Sequence, residues 1–229
     1  MDSRKYGRTC HFPFSPGTTS DDRVQSDYWP ILSQMKQLVF TEKLDGENNC
    51  LSRSGVFARS HAAPTVSPWT IRLRERWSHV RHDLGDLELF GENLYAIHSI
   101  EYTRLEDSFF VFAARYLDTW LAWEEVNFYA RALDLSVAPV LQLSSPPETE
   151  AVFRKNVLVL AAQESVFGSV DPTKQTPCTR EGVVVRNASA FPVEDLSRNV
   201  LKYVRPHHVQ TNEHWTRHWK PAQIRYRYE

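Results

Sequence analysis

A lysine followed by Asp-Gly closes an apolar run in the stretch Leu38-Val39-Phe40-Thr41-Glu42-Lys43-Leu44-Asp45-Gly46-Glu47-Asn48. The first four residues are β-prone and read as a buried strand. Lysine is among the residues least often buried, so its place at the end of such a strand calls for a reason. The glycine lets the chain turn tightly, and the ammonium can then project into a cleft beside a carboxylate. An amine desolvated next to other cations gives up its proton more readily and becomes a nucleophile. The alternative is a surface hairpin carrying a Lys-Asp pair.

Other residues offer complementary chemistry. Arg59 stands at a strand end, either as a solvated side chain or as a clamp whose fork suits phosphate oxygens. Glu92 follows Gly91 at another strand end, where a carboxylate can accept hydrogen bonds from a ribose. Phe109-Phe110-Val111-Phe112 presents rings on both faces, one of which could stack on a base, although such strands more often belong to a core. Glu181 sits at the mouth of a valine-rich strand. His214 and His218 are four apart, as a zinc site on a helix would need, but no third ligand stands in register.

The elements that must position these groups follow from pattern. Strands are expected over 37–43, 48–53 and 56–59, with Ser54-Gly55 as a hairpin turn. Ser67-Pro68 opens a helix whose stripe is Leu73, Trp77, Val80 and Leu84; its remaining faces carry Arg72, Arg74, Arg76, His79, Arg81 and His82, a solvated face or an RNA-tracking one. Further strands are expected over 86–90 and 108–112, a helix over 120–133, and a second helix opened by Pro146-Pro147 and lined by Phe153, Val157 and Leu160. Residues 168–178 read as a loop, and 181–186 and 200–205 as strands, Pro206 ending the last. Residues 1–35 read as an N-terminal wrap over the core, and 207–229 as a basic and aromatic C-terminal tail.

With 229 residues, 41% of them hydrophobic, the chain can bury a sizeable core as a single domain. A net charge of −1 argues against bulk attraction to nucleic acid but not against a local basic cleft. Cys10, Cys50 and Cys178 are odd in number and lack metal spacing, which points to a reducing compartment. No apolar run suits a signal peptide or a bilayer span, so the expectation is a soluble, cytoplasmic protein with no membrane partner.

In combination and in order, these pieces resemble the covalent nucleotidyltransferases, the superfamily of ATP-dependent ligases and mRNA capping enzymes. Glu42-Lys43-Leu44-Asp45-Gly46 resembles the nucleophile motif and Ala58-Arg59-Ser60 the arginine motif after it. Leu89-Phe90-Gly91-Glu92 resembles the third motif and Phe110-Val111-Phe112 its aromatic companion. Glu181 to Arg186 resembles the fourth, and Val200-Leu201-Lys202 the fifth. Asn48 is similar to the RNA ligase form, where DNA ligases usually carry Arg, and little sequence follows the fifth motif, leaving no room for an OB domain. The nearest resemblance is to nick-sealing, phage-type RNA ligases. There are departures: Ala113 stands where the family usually has Asp, and Val204 where it often has a second lysine, with Arg205 pointing to the other strand face.

The resemblance implies an α+β fold with largely antiparallel sheets around an ATP cleft and helices outside. It implies that Lys43 attacks the ATP α-phosphate, that the adenylate passes to an RNA 5′-phosphate, and that a 3′-hydroxyl expels AMP. Lys202 would favour a neutral Lys43 and stabilise the phosphate; at an ordinary pKa only about one lysine in two thousand is neutral at pH 7. Glu181 would hold Mg²⁺ or Mn²⁺, and Asp45 would orient Lys43 or metal-bound water. Glu92 would bind the ribose, Phe112 would stack on adenine, and Glu42, Asn48 and Arg59 would complete the nucleotide site. RNA ends or a nicked duplex would be the substrate, with a partner protein as a possible source of further RNA-binding surface. The rivals are a DNA ligase, a capping enzyme using GTP, and a non-catalytic RNA-binding relative.

Overall fold

The computed structural model describes residues 5–59, 63–206 and 219–225. His214 and His218 lie outside them, as do Ser60 and His61. The architecture is α+β with mostly antiparallel sheets and helices on their outer faces, as the sequence leads one to expect. Neither main sheet closes into a barrel among the described residues. No helix among them is long and apolar enough to cross a membrane.

One sheet has five strands: β1 (Cys10–His11), β2 (Leu38–Lys43), β10 (Val140–Ser144), β13 (Gly182–Asn187) and β15 (Val200–Val204), in the order β1-β15-β13-β2-β10. β2, β13 and β15 are antiparallel in unbroken register, while β1 runs parallel to β15 at the edge. Side chains alternate between the two faces of a strand. Phe40, Val185 and Leu201 therefore share one face, which is fully buried with Phe153 and Val157 of α4 (Glu150–Ala161) and Leu32 of α1 (Tyr28–Leu32). α4 starts where Thr149 accepts a hydrogen bond from Val152 N, an ordinary N-cap. At the free edge, β10 exposes Val140 and Leu143.

The larger sheet contains β3 (Glu47–Ser52), β4 (Gly55–Ala58), β5 (Leu87–Asn93), β7 (Phe109–Tyr116), β8 (Thr119–Trp120) and β14 (Phe191–Pro192), with β9 (Ser136–Val137) joined in parallel to β7. Its outer face places Leu51, Leu89 and Val111 against α2 (Ile71–Val80) and α3 (Trp123–Ala132). Leu73 and Trp77 of α2 pack on this core as the stripe predicts, but Leu84 lies beyond the helix end. A short α5 (Leu196–Asn199) leads into β15.

Several boundaries differ from the pattern-based expectation. The strands expected over 86–90 and 108–112 continue to Asn93 and Tyr116, because each finds partners along its full length. The helix expected from Trp120 begins at Trp123. Thr119 and Trp120 instead form β8, closed by a turn with Leu117 at positive φ, and Trp120 buries its ring among other aromatics. Residues 168–178 are not a plain loop: β11 (Ser169–Asp171) and β12 (Thr176–Pro177) form a hairpin on β6 (Glu101–Tyr102). Asp171 stabilises its turn by accepting from Thr173 N and Lys174 N.

Candidate active site

The two main sheets face each other across a cleft of about 1090 Å³, just above the roughly 300 to 1,000 Å³ of ordinary ligand pockets. On the five-stranded wall, cross-strand pairing puts Thr41, Val184 and Lys202 side by side, with Lys43 two residues along the same face. Lys43 ends β2, so its side chain leaves the sheet at the cleft. Its Nζ donates to Glu181 Oε2 at 2.7 Å, and the two side chains are 22% and 5% exposed. A smaller cavity of about 410 Å³ lies on the other side of this pair, and Lys43, Lys202 and Asp22 line both.

Glu42 precedes Lys43 and falls on the opposite face of β2. Its carboxylate is buried and accepts from Val166 N, with Arg180 nearby, so it holds the chain at 165–167 and turns away from the Lys43 amine. Burial pushes its pKa up, against the pull of Ser165, Val166 and Arg180. Asp45 sits in the turn after β2. Ser99 N donates to its Oδ2 at 2.7 Å, and its own N–H donates to the Tyr102 hydroxyl at 2.8 Å. Gly46 N donates to Glu92 Oε1, a turn so close to β5 that a Cβ on Gly46 would meet Asn93 O at 2.4 Å.

On the opposite wall, Asn48 and Glu92 are directly paired across β3 and β5. The Asn48 Oδ1 is buried and has no hydrogen-bond partner, an acceptor left over in a cleft. Phe112 reaches the cleft through a β-bulge. Phe90 pairs with Ala113 and Gly91 with Val111, so Phe112 is the extra residue, and its ring is re-aimed. Gly91 allows the close approach, since a Cβ there would meet the Phe109 ring at 2.4 Å. Arg186, near the end of β13 and lining the same cleft, donates to the carbonyls of Phe112 and Leu121 and so braces the bulge. Arg59 lines the mouth, exposed, with its N–H donating to Asn48 O.

The N-terminal segment also reaches the cleft. Tyr6 packs edge-on against Phe112 and Trp120, with centroids 5.3 and 5.1 Å away. Nothing in the sequence marks Tyr6, Asp22, Tyr102 or Ser99 as neighbours of the lysine; only the fold brings them there. Arg205 ends outside both cavities, with its N–H donating to Glu181 O.

The charges are unequally distributed. Burial pushes the Asp45 carboxyl up to about 7 and the Glu92 carboxyl up to about 8, and the Glu181 charge adds to both shifts. Burial lowers the Lys202 pKa, and Lys43 lowers it further. Burial alone would lower Lys43 as well, but Glu181, Glu92 and Asp45 outweigh it, and its pKa is raised. This corrects the expectation from sequence: without nucleotide the amine is held protonated, because three carboxylates stand closer in effect than the second lysine.

The profile of a family described as RNA ligase matches residues 36–204. Comparison with curated proteins returns no match. Among solved structures, a ligand-free variant of Naegleria gruberi RNA ligase superposes with a TM-score of 0.55 at 19% identity, covering 86% of this chain and 57% of that one. A variant of the same ligase with ATP and Mn gives 0.55 at 18% identity, with 90% and 62% covered. An archaeal ATP-dependent RNA ligase gives 0.51 at 14%, with 88% and 48% covered. Identities this low establish a shared fold. The chain spans less than two thirds of the length of each of these structures.

Proposed function

The chain belongs to the RNA ligase family, and on that premise we propose that it is an ATP-dependent RNA ligase, joining 5′-phosphate and 3′-hydroxyl ends through a lysyl-AMP intermediate. One observation carries the reading. The Lys43 amine lies 2.7 Å from Glu181, lines two cavities, and shares the larger one with Glu92 and Lys202, while the Asp45 carboxyl acts on it from the turn after β2.

Lys43 sheds a proton, for which Glu181 is a near acceptor, and Nζ attacks the α-phosphorus of ATP. The new P–N bond forms as the bond to the bridging oxygen breaks, and pyrophosphate leaves with the electron pair. Lys202 faces the same space and balances the charge that builds on the α-phosphate. Phe112, aimed inward by its bulge, stacks on adenine, and Glu92 accepts from the ribose. The leftover acceptor on Asn48 and the Arg59 fork take further polar contacts to nucleotide or RNA phosphate. The AMP then passes to the RNA 5′-phosphate, and the 3′-hydroxyl displaces it.

The residues fit a hard divalent cation. Glu181, Glu92 and Asp45 together outnumber the nearby ammonium groups, and burial, with the Glu181 charge adding to it, keeps the Asp45 and Glu92 pKa values high. Among the described residues no group of three or more ligating side chains is preassembled. Mg²⁺ needs only one or two carboxylates together with substrate phosphates and water, so Glu181 suffices as its protein ligand. When bound, Mg²⁺ or Mn²⁺ supplies charge neutralisation at the phosphate oxygens. The cysteines stand as thiols, which supports an intracellular, reducing location. A partner protein supplying further RNA-binding surface is part of this proposal.

The test is to incubate the protein with ATP labelled at the α-phosphate, with Mg²⁺ and with Mn²⁺. Covalent label on the wild type, absent from Lys43→Ala, is the expected result. No label under either metal would instead favour a non-catalytic binding module, and label from GTP alone a capping-type enzyme. Matched RNA and DNA nicks then separate RNA from DNA joining.

A further inference from the structure

Asp22 lies outside the residues that the family profile matches, yet it stands at the lysine-rich side of the cleft. β1 brings it there. His11 pairs in parallel register with Lys202, and the chain returns so that His11 N donates to Arg23 O. Asp22 Oδ1 then lies 3.6 Å from Lys202 Nζ and 3.3 Å from His11 Nε2. The other oxygen, Oδ2, accepts from both Thr19 N and Thr19 Oγ1 at 3.0 Å, so the carboxylate is itself held in place. His11 is in turn fixed by contact between its Nδ1 and Ser15 Oγ at 2.9 Å.

We propose that Asp22 is a positioning residue for Lys202, holding its ammonium over the α-phosphate site; the proposal rests on the adenylyl-transfer reading above. Lys202 needs such a partner. Its side chain is long and flexible, it shares the cleft with a second ammonium, and Glu181 accepts from Lys43 at 2.7 Å. The spacing also matters. At 3.6 Å the Asp22–Lys202 pair is an ion pair but too long for a hydrogen bond, so the lysine N–H donors remain available to phosphate oxygens. By contrast, the Lys43–Glu181 contact at 2.7 Å uses a donor. His11 is buried and beside Lys202, which favours its neutral form, so Lys202 is the cation that Asp22 balances.

The experiment measures self-adenylylation of the full chain from labelled ATP, in single turnovers across ATP concentrations. Asp22→Asn should lower the rate at saturating ATP about tenfold and leave the half-saturating ATP concentration within about twofold, because the interaction matters in the transition state. Asp22→Glu should recover part of the loss. In a Lys202→Ala background, Asp22→Asn should cost nothing further, since its effect passes through the missing ammonium. If Asp22→Asn does not fold, Thr19→Val keeps the carboxylate while removing one of its donors, and should show a smaller loss that also vanishes without Lys202. A rate within twofold of wild type for Asp22→Asn, or a loss that adds in full to that of Lys202→Ala, overturns the proposal while leaving the ligase reading intact. An unlabelled wild type overturns the ligase reading first.

Discussion

On the five-stranded wall, Lys43, Val184 and Lys202 reach one face through uninterrupted register across three strands. On the facing wall, Phe112 reaches the cleft only because β7 carries one residue more than β5 opposite it. On the proposed reading the first wall delivers charge to a reacting phosphorus, and its register tolerates no slip, since a shift of one residue would turn both lysines into the core. The second delivers shape and polar contacts. It uses a local irregularity, braced by Arg186 and permitted by Gly91, to aim a ring. The comparison teaches that the charged wall and the aromatic wall, to which the proposed function gives catalysis and recognition, are built from different kinds of backbone order.

The largest effect should come from the charged wall. Lys202→Ala is expected to lower the rate of lysyl-AMP formation about 10²- to 10³-fold, the range for loss of one preorganised group facing developing charge, with little change in ATP affinity. The facing wall should behave in the opposite way. Phe112→Ala should weaken ATP binding by about 1–3 kcal/mol, the worth of one base stacked on an aromatic ring, while the rate at saturation changes less. Titration calorimetry or the ATP dependence of labelling separates the two; equal rate and affinity losses in both variants would dissolve the distinction.

The smallest effect concerns stability. The Asp45 and Glu92 carboxyls are raised to about 7 and about 8 from ordinary values of 3.8 and 4.5, chiefly by burial. The native state therefore binds more protons than the unfolded chain between those values. Their contribution is fully present below the unfolded pKa values and is lost as pH rises through 7 and 8. In the absence of metal and nucleotide, the melting temperature should fall over that interval more steeply for the wild type than for Glu92→Gln. Parallel curves would show that Glu92 does not titrate as its surroundings dictate.

Much of this was legible in the sequence where chemistry and periodicity agree. Lys43, Glu181 and Lys202 could be placed because Lys43 and Lys202 lie in regular strands whose alternation fixes their face and Glu181 immediately precedes another. The bulge at Phe112 could not, since it depends on pairing between strands and not on the pattern within one. The hairpin at 169–177 was hidden because Pro172 and Pro177 read as loop, while the partner that orders it is a two-residue strand distant in sequence. The protonated state of Lys43 was misjudged for a similar reason: the balance of three acids against one cation is a property of the assembled cleft. Glu42 also needed the sheet, whose far face accounts for its burial at 165–167.

The edge pairing of β1 with β15 sets when this protein can become competent. Ser15 and Val204, joined by a hydrogen bond from Val204 N to Ser15 Oγ, stand 189 residues apart, so closing that seam requires an unusually long loop of chain to be brought together. During synthesis β1 has no template until β15 has left the ribosome. A chain cut short before β15 would carry Lys43 without the seam that completes its surroundings.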